Sequence, residues 1–355
     1  MEQMDITLEQ VLQGITARDE AAVQECQRRW DGIAKPLHSL GWMEEAVARI
    51  AGAQHSSEVV TEKKILVVMC ADNGVVEEGV TQTGQEVTAI VAENFLDEKS
   101  CAAIICRMTG ATILPIDIGM AVDTPRVEKR KIAYGTKNFA KERAMTREQA
   151  VRALETGIRL VGERKKEGYR IFATGEMGIG NTTTSSAVAS ALLQVPAEEM
   201  TGRGAGLSSS GLQKKISVIE SAIQRWQLNE ADPLTVLASV GGFDIAGMAG
   251  VFLGGAYYHV PVLIDGFISS AAALLAARLC PAACGYMIAT HVSKEPAARR
   301  ILKELALTPA LDAGMCLGEG SGAAAAFPLL DMGAEIYHSM STFEQIHVEA
   351  YQELK

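Results

Sequence analysis

The sequence has no surplus of basic charge: 33 Lys and Arg stand against 43 Asp and Glu, a net charge of −10. A general nucleic-acid binder needs a positive field to displace counterions, so that class is set aside. A small phosphorylated ligand is not, because backbone amides in a Gly-rich loop hold phosphate without a basic surface. Metal-site spacing is missing too. The seven cysteines (Cys26, Cys70, Cys101, Cys106, Cys280, Cys284, Cys316) include no CxxC pair, and none is followed by His at zinc-finger spacing. The six histidines form no HExxH pattern. These cysteines read as small buried apolar side chains in a reducing compartment, and neither metal nor cofactor is expected. No apolar run suits a membrane span, since the longest, around Val236 to Ala256, is broken by Asp244 and several glycines. The opening MEQMDITLEQVLQG is acidic and amphipathic, without the basic and apolar regions of a secretion signal. A cytoplasmic protein is expected.

Hydrophobic residues make up 48% of the 355, enough to bury roughly three-quarters of the extended chain's surface without disulfides or metals. Residues 1 to about 58 carry apolar positions at three- and four-residue spacing, a helical pattern. Then KILVVMCAD, residues 64–72, is a short β-branched run that ends in the turn Asp72-Asn73-Gly74. Short apolar runs recur at Ala111–Ile118, Tyr169–Thr174, Leu237–Gly241, Val260–Asp265 and Gly285–Thr290. Helical patterns separate them; the clearest follows Thr146 and Gln149, a capping box, with Val151, Leu154, Ile158 and Val161 on one face. This alternation predicts an α/β fold with a mostly parallel sheet covered on both sides. The tail from Glu335 to Lys355 again reads helical, which suggests a large domain over 60–334 and a small helical one from 1–59 plus 335–355. The run Glu163-Arg164-Lys165-Lys166-Glu167 reads as a solvated helix end that complements the dipole.

Three Gly-rich segments carry the chemistry. In the first, Tyr169 to Thr184, a strand runs through Gly175-Glu176-Met177-Gly178-Ile179-Gly180 into Asn181-Thr182-Thr183-Thr184, which open a helix. Amides at such a turn converge on one point, and the helix N-terminus adds positive polarity, a cradle for phosphate. Asn181 stands where a Walker loop has lysine, so a monophosphate fits better than ATP. The dinucleotide fingerprint fails as well, for want of its third glycine. The second, Thr201-Gly202-Arg203-Gly204-Ala205-Gly206-Leu207, sets a guanidinium in a flexible turn, where Arg203 either pairs with phosphate or sits exposed. Downstream, Lys214 and Lys215 begin an amphipathic helix, and one of them can point inward. The third, Leu317-Gly318-Glu319-Gly320-Ser321-Gly322, presents one carboxylate between glycines beside an Ala-rich helix. Limited solvation there raises its pKa towards a useful base, although an exposed turn glutamate fits the same pattern. Asp72 and Asp265 end apolar runs and so fall on the rim where parallel strands open.

Taken in order, GEMGIGNTTTSSA, TGRGAGL, VGGFDIAGMAG, IDGFISSAAALLA, HVSKEP and LGEGSGAAAAFPLL resemble the nicotinate-nucleotide:dimethylbenzimidazole phosphoribosyltransferase family. ADNGVVEEGVTQTGQEVTAIV and YGTKNFAKERAMT extend the similarity from about residue 10 to about residue 345. The resemblance implies a Rossmann-like sheet with a small domain from both chain ends, assembled as a homodimer. It implies transfer of phosphoribose from nicotinate mononucleotide to a benzimidazole nitrogen, with no cofactor. Glu319 matches the general base, and Glu176 and Lys215 match groups near the reacting centre, with Lys214 the alternative to the latter. Gly175, Met177, Gly178, Gly180, Asn181, Thr182 and Thr183 match the nucleotide-phosphate loop, helped by Gly202, Arg203 and Gly204. Asp265, Gly266 and Ser293 match the nucleotide side, Thr83 a hydroxyl near the aromatic base, and Leu317 and Gly318 further ligand positions. Asn73 replaces the His common in relatives and Gly84 a common Pro, both in the segment expected to border the acceptor. Purines and phenols are therefore alternative acceptors, and a non-catalytic nucleotide-binding subunit is the alternative to an enzyme. An aromatic content of 5% suits an acceptor site lined by aliphatic and Met side chains.

Overall fold

The computed structural model describes residues 6–351. Six strands, β1 (Lys64–Ala71), β2 (Thr112–Gly119), β3 (Glu128–Lys129), β4 (Ile171–Met177), β5 (Val262–Ile264) and β6 (Met287–Ala289), form one sheet in the order β3-β2-β1-β4-β5-β6. Every pairing is parallel. The order reverses between β1 and β4, the switch point at which ligands enter such sheets. The Rossmann-like parallel sheet expected above is therefore present.

Three helices, α1 (Leu8–Gly14), α2 (Glu20–Gly32) and α3 (Trp42–Gln54), precede β1, and α4 (Glu86–Leu96) and α5 (Cys101–Thr109) lie between β1 and β2. Helix α6 (Arg147–Lys166) leads into β4. After β4 come α7 (Asn181–Leu193), α8 (Ala197–Met200), α9 (Ser209–Arg225), α10 (Pro233–Val240) and α11 (Phe243–Tyr257). Helix α12 (Phe267–Leu279) joins β5 to β6, and α13 (Ala297–Glu304) and α14 (Ser321–Ser339) follow.

Side chains alternate across a strand, so a run buried on both faces feeds two cores. In β1, Ile65, Val67, Met69 and Ala71 enter the core beneath α6, α7, α11 and α12. Leu66, Val68 and Cys70 enter the opposite one, with α3, α4, α5 and α14. Glycine also serves where helices cross: a Cβ at Gly157 of α6 would lie 2.1 Å from the Gly247 carbonyl oxygen, and one at Gly250 of α11 equally close to that of Leu154. The two backbones touch because neither position has a side chain.

Several expectations need correction. Leu237–Gly241 belongs to α10 rather than to a strand; the Asp232 carboxylate accepts the Thr235 N–H and Pro233 occupies the first turn, signals that outweigh a short apolar run. The two-residue β3 is too short to leave a pattern. In the run 163–167, Lys166 and Glu167 are exposed but Glu163, Arg164 and Lys165 are half-buried: Arg164 pairs with Glu128 at 2.6 Å and Glu167 at 2.7 Å, and Lys165 donates to the Tyr258 carbonyl. Burial lowers the Lys165 pKa. The capping box of Thr146 and Gln149 is formed. Of the cysteines, Cys26, Cys70 and Cys106 are buried while Cys101 and Cys316 are exposed, and all seven are free.

The tail stops being helical after Ser339. Thr342 instead bridges Ile33, the Ala34 N–H donates to the Ser341 carbonyl at 2.9 Å, and the Phe343 N–H to that of Gly32 at 3.0 Å. Tyr337 packs on Trp30, ring centres 5.1 Å apart. The end of α2 and the segment after α14 thus meet, although Leu8 and Val11 of α1 join the core under α6 and α11. Residues 1–5 and 352–355 of the expected small domain lie outside the described residues.

Candidate active site

The carboxyl ends of β4, β5 and β6 and the loop before α14 enclose a cleft of about 290 Å³. Twelve of the expected residues line it: Glu176, Met177, Gly178, Asn181, Thr182, Gly204, Asp265, Gly266, Ser293, Leu317, Gly318 and Glu319. A narrow arm of about 90 Å³, sharing the Gly178–Thr182 wall, adds Thr83, Gly180, Arg203 and Lys215. Gly175, Thr183 and Gly202 line neither space and support it from behind.

Glu319 sits between Gly318 (φ +88) and Gly320 (φ +84), and is itself left-handed at φ +61. For a glutamate that conformation costs on the order of 1–2 kcal/mol, which the surrounding loop must impose. The loop lies flat on the end of β4, where a Cβ at Gly175 would stand 2.5 Å from the Glu319 carbonyl oxygen. The Glu319 carboxylate accepts the Ala102 N–H of α5 at 3.3 Å. Burial raises its pKa, the Ala102 amide opposes, and the Asp265 charge adds. A half-buried carboxylate of raised pKa has the chemistry to accept a proton.

Glu176 is buried one strand position past Gly175, where Asn181 Nδ2 and, at 3.4 Å, the Glu319 N–H donate to it. Burial and the neighbouring Asp244 and Asp265 hold its carboxyl well above the usual range. Asp265 accepts the Gly322 and Ala323 amides at 2.7 and 3.0 Å, capping α14. Burial raises its pKa, while His291 and those amides pull it down.

The narrow arm contrasts in sign. Lys215 is 1% exposed, and its Nζ donates to Thr182 Oγ1 at 2.9 Å and to the Gly202 carbonyl at 3.3 Å. Burial lowers its pKa to about 8, with Glu295 opposing. Lys214, next on the helix, is exposed. Arg203 is exposed and donates to the Leu207 carbonyl at 2.8 Å and Ser209 Oγ at 3.1 Å, so its guanidinium orders its own turn.

Two expectations change here. Amides of the Gly178–Thr183 loop are less available than the glycines suggest: Ile179 donates to Thr88 Oγ1, Asn181 to the Gly178 carbonyl, and Thr183 to that of Gly180. Lysine and hydroxyl therefore stand where backbone was expected to dominate. Asn73 and Gly84 line neither space, and Asn73 is fully buried. Asp72 is likewise internal, accepting from Thr88 Oγ1 at 2.6 Å and the Ala121 N–H at 2.7 Å.

Sequence reasoning passed over His291 and Glu295, which line the main cleft. The signal available was their place just after β6, in the segment HVSKEP. Met177, Ile179, Ile268, Leu317 and the Phe267 ring supply apolar lining. Among the described residues no group of His, Cys, Asp and Glu is arranged to hold a metal.

A parallel sheet of this order, with a glutamate in a glycine loop and a lysine–hydroxyl arm at its switch point, fits the class of nucleotide-handling transferases. The chain belongs to the phosphoribosyltransferase family whose pattern matches residues 15–348. It is 45% identical over 352 residues to the nicotinate-nucleotide–dimethylbenzimidazole phosphoribosyltransferase of Ruminiclostridium cellulolyticum, covering 99% of this chain and 100% of that one. The enzyme of the same name from Clostridium acetobutylicum is 44% identical, with the same coverage. The crystal structure of CobT from Thermus thermophilus superposes with a TM-score of 0.89 at 37% identity, over 93% of this chain and 100% of that chain. No helix among the described residues is long and apolar enough to cross a membrane.

Proposed function

We infer that this enzyme transfers phosphoribose from nicotinate mononucleotide to 5,6-dimethylbenzimidazole, giving α-ribazole 5'-phosphate and nicotinate for the lower nucleotide of cobalamin. The observation that carries the mechanism is Glu319, a single half-buried carboxylate with a raised pKa, held by a strained loop at the cleft wall. A neutral benzimidazole becomes a competent nucleophile as its N–H proton leaves, and Glu319 receives that proton. The imine nitrogen attacks the anomeric carbon. The bond to nicotinate breaks, and its electron pair returns to the pyridine nitrogen. Because that nitrogen is cationic while bound, the leaving group needs no acid. Attack on the face opposite the leaving group turns a β-nucleotide into an α-product.

Lys215 and Thr182 Oγ1 hold the phosphate in the narrow arm, with the Gly204 turn beside them. A dianion there favours the ammonium and raises the depressed Lys215 pKa. Met177, Ile179, Ile268 and Leu317 form the apolar wall for the acceptor, Asp265 and Ser293 face the ribose, and Glu176 sits as a neutral acid beside the reacting centre. The enzyme works in the cytoplasm as a homodimer, its chain divided at about residues 60 and 334.

Purified protein incubated with nicotinate mononucleotide and a panel of dimethylbenzimidazole, adenine and phenol tests this reading. Nicotinate release fastest with dimethylbenzimidazole is expected. No release with any acceptor would overturn the transferase reading, and preference for adenine or phenol would overturn the acceptor.

A further inference from the structure

Behind the cleft, at the start of α11, Asp244 is fully buried without lining the substrate spaces. One of its oxygens accepts the Ile245 N–H at 2.9 Å, while Oδ2 has no partner. Asn73 Oδ1 is likewise buried and unpartnered. The two side chains meet over Gly242, where a Cβ would lie 2.2 Å from Asp244 Oδ1 and 2.5 Å from Asn73 Oδ1. With the Asn73 amide turned so that Nδ2 faces the Ile179 carbonyl, two acceptor oxygens crowd one point, and they repel unless a proton lies between them. An ionised carboxylate offers none, and a buried acceptor left unmatched is destabilising.

We propose that Asp244 is a positioning residue that works as the neutral acid, closed in a ring with the Asn73 side-chain amide. In that ring Asn73 Nδ2 donates to one Asp244 oxygen and the Asp244 O–H donates to Asn73 Oδ1. The consequence reaches the site through Asn73. Its Nδ2 also faces the Ile179 carbonyl at 3.5 Å, and a Cβ at Gly180 would stand 3.2 Å from Asn73 Cβ. Gly180 caps α7, whose first residue, Asn181, grips Glu176. The acid–amide ring thereby fixes the loop between Glu176, at the end of β4, and Thr182.

The surrounding charges favour this state. Cys70 of β1 and Asp72 just after it face Asp244, and Glu176 faces it from β4, with the Lys131 ammonium acting on Asp72. Burial lifts the Asp244 carboxyl to about 7, the Ile245 amide and Asn73 side chain oppose, and Asp72 adds. An acid whose pKa is raised by folding stabilises the protein fully below its unfolded value of about 3.9, and that contribution is lost as pH rises to the folded value.

The test compares wild type with Asp244→Asn, whose amide makes the same ring without titrating, and with Asp244→Ala. Melting of the substrate-free protein is followed from about pH 4 to pH 8.5. The margin of Asp244→Asn over wild type is expected to widen up to about pH 7 and then level off. A margin independent of pH overturns the proposal. In turnover, Asp244→Asn is expected to stay within about threefold of wild type near pH 6, and Asp244→Ala to fall by about tenfold or more. The alkaline fall of wild type, through about pH 7, is expected to move in Asp244→Asn to about pH 8, where Lys215 titrates. Equal turnover in Asp244→Ala and Asp244→Asn overturns the positioning role, and if Asp244→Ala does not fold, an unmoved alkaline fall does so. The turnover arms rest on the transferase reading. The melting arm needs no substrate, so failure of one is distinguishable from failure of the other.

Discussion

At the main cleft Glu176, Asp265 and Glu319 converge from β4, β5 and the α14 loop, each carboxyl pushed upward by burial. In the narrow arm a few residues away, Lys215 is the buried charge, and the same burial pushes it down to about 8. Desolvation drives both regions toward neutrality from opposite directions. In the reaction we propose, the substrates favour the charged forms again: a phosphate would hold the lysine as its ammonium, and a carboxylate of raised pKa would keep an acceptor's proton. On that proposal the acid-rich wall is the chemical half of the cleft and the lysine arm the binding half, so the two should fail differently when altered.

The sharpest break in the comparison is Glu319→Gln, which keeps the shape and removes the proton acceptor. Turnover should fall by about 10²–10⁴ while nicotinate mononucleotide affinity, read by calorimetry, stays near wild type. Lys215→Met should do the reverse, weakening that affinity by about 10–100-fold, the worth of a charge-assisted hydrogen bond. Wild-type affinity should decline as pH rises through about 8, because the ammonium is the binding form; in Lys215→Met that decline should vanish. Gly175→Ala places a Cβ 2.5 Å from the Glu319 carbonyl and must displace the base loop. Turnover should drop about tenfold with little change in affinity. Arg203→Ala should shift either quantity by less than about threefold, since an exposed guanidinium that bonds to its own turn contributes little.

The sheet was legible because β1, β4 and β5 are short, β-branched and bounded by turns. α10 was not, since Pro233-Leu-Thr-Val-Leu-Ala-Ser-Val reads equally as strand until its Asp232 cap is weighed. Glu319 and the glycine loops stood out by pattern. What the pattern concealed was how many loop amides are used internally and which partners a buried group finds. Asn73 sits in the same turn as Asp72, yet only the fold shows that it faces Asp244 rather than the cleft. His291 and Glu295 escaped notice because a lone polar residue after a strand carries no spacing.

The most direct measurement compares dimethylbenzimidazole with its N-methyl derivative, which has no N–H proton to lose, in wild type and Glu319→Gln. With the parent acceptor the variant should be slower by the factor given above. With the methylated acceptor the two enzymes should release nicotinate at nearly the same slow rate. A Glu319→Gln defect just as large with the methylated acceptor would contradict proton removal as the function of Glu319.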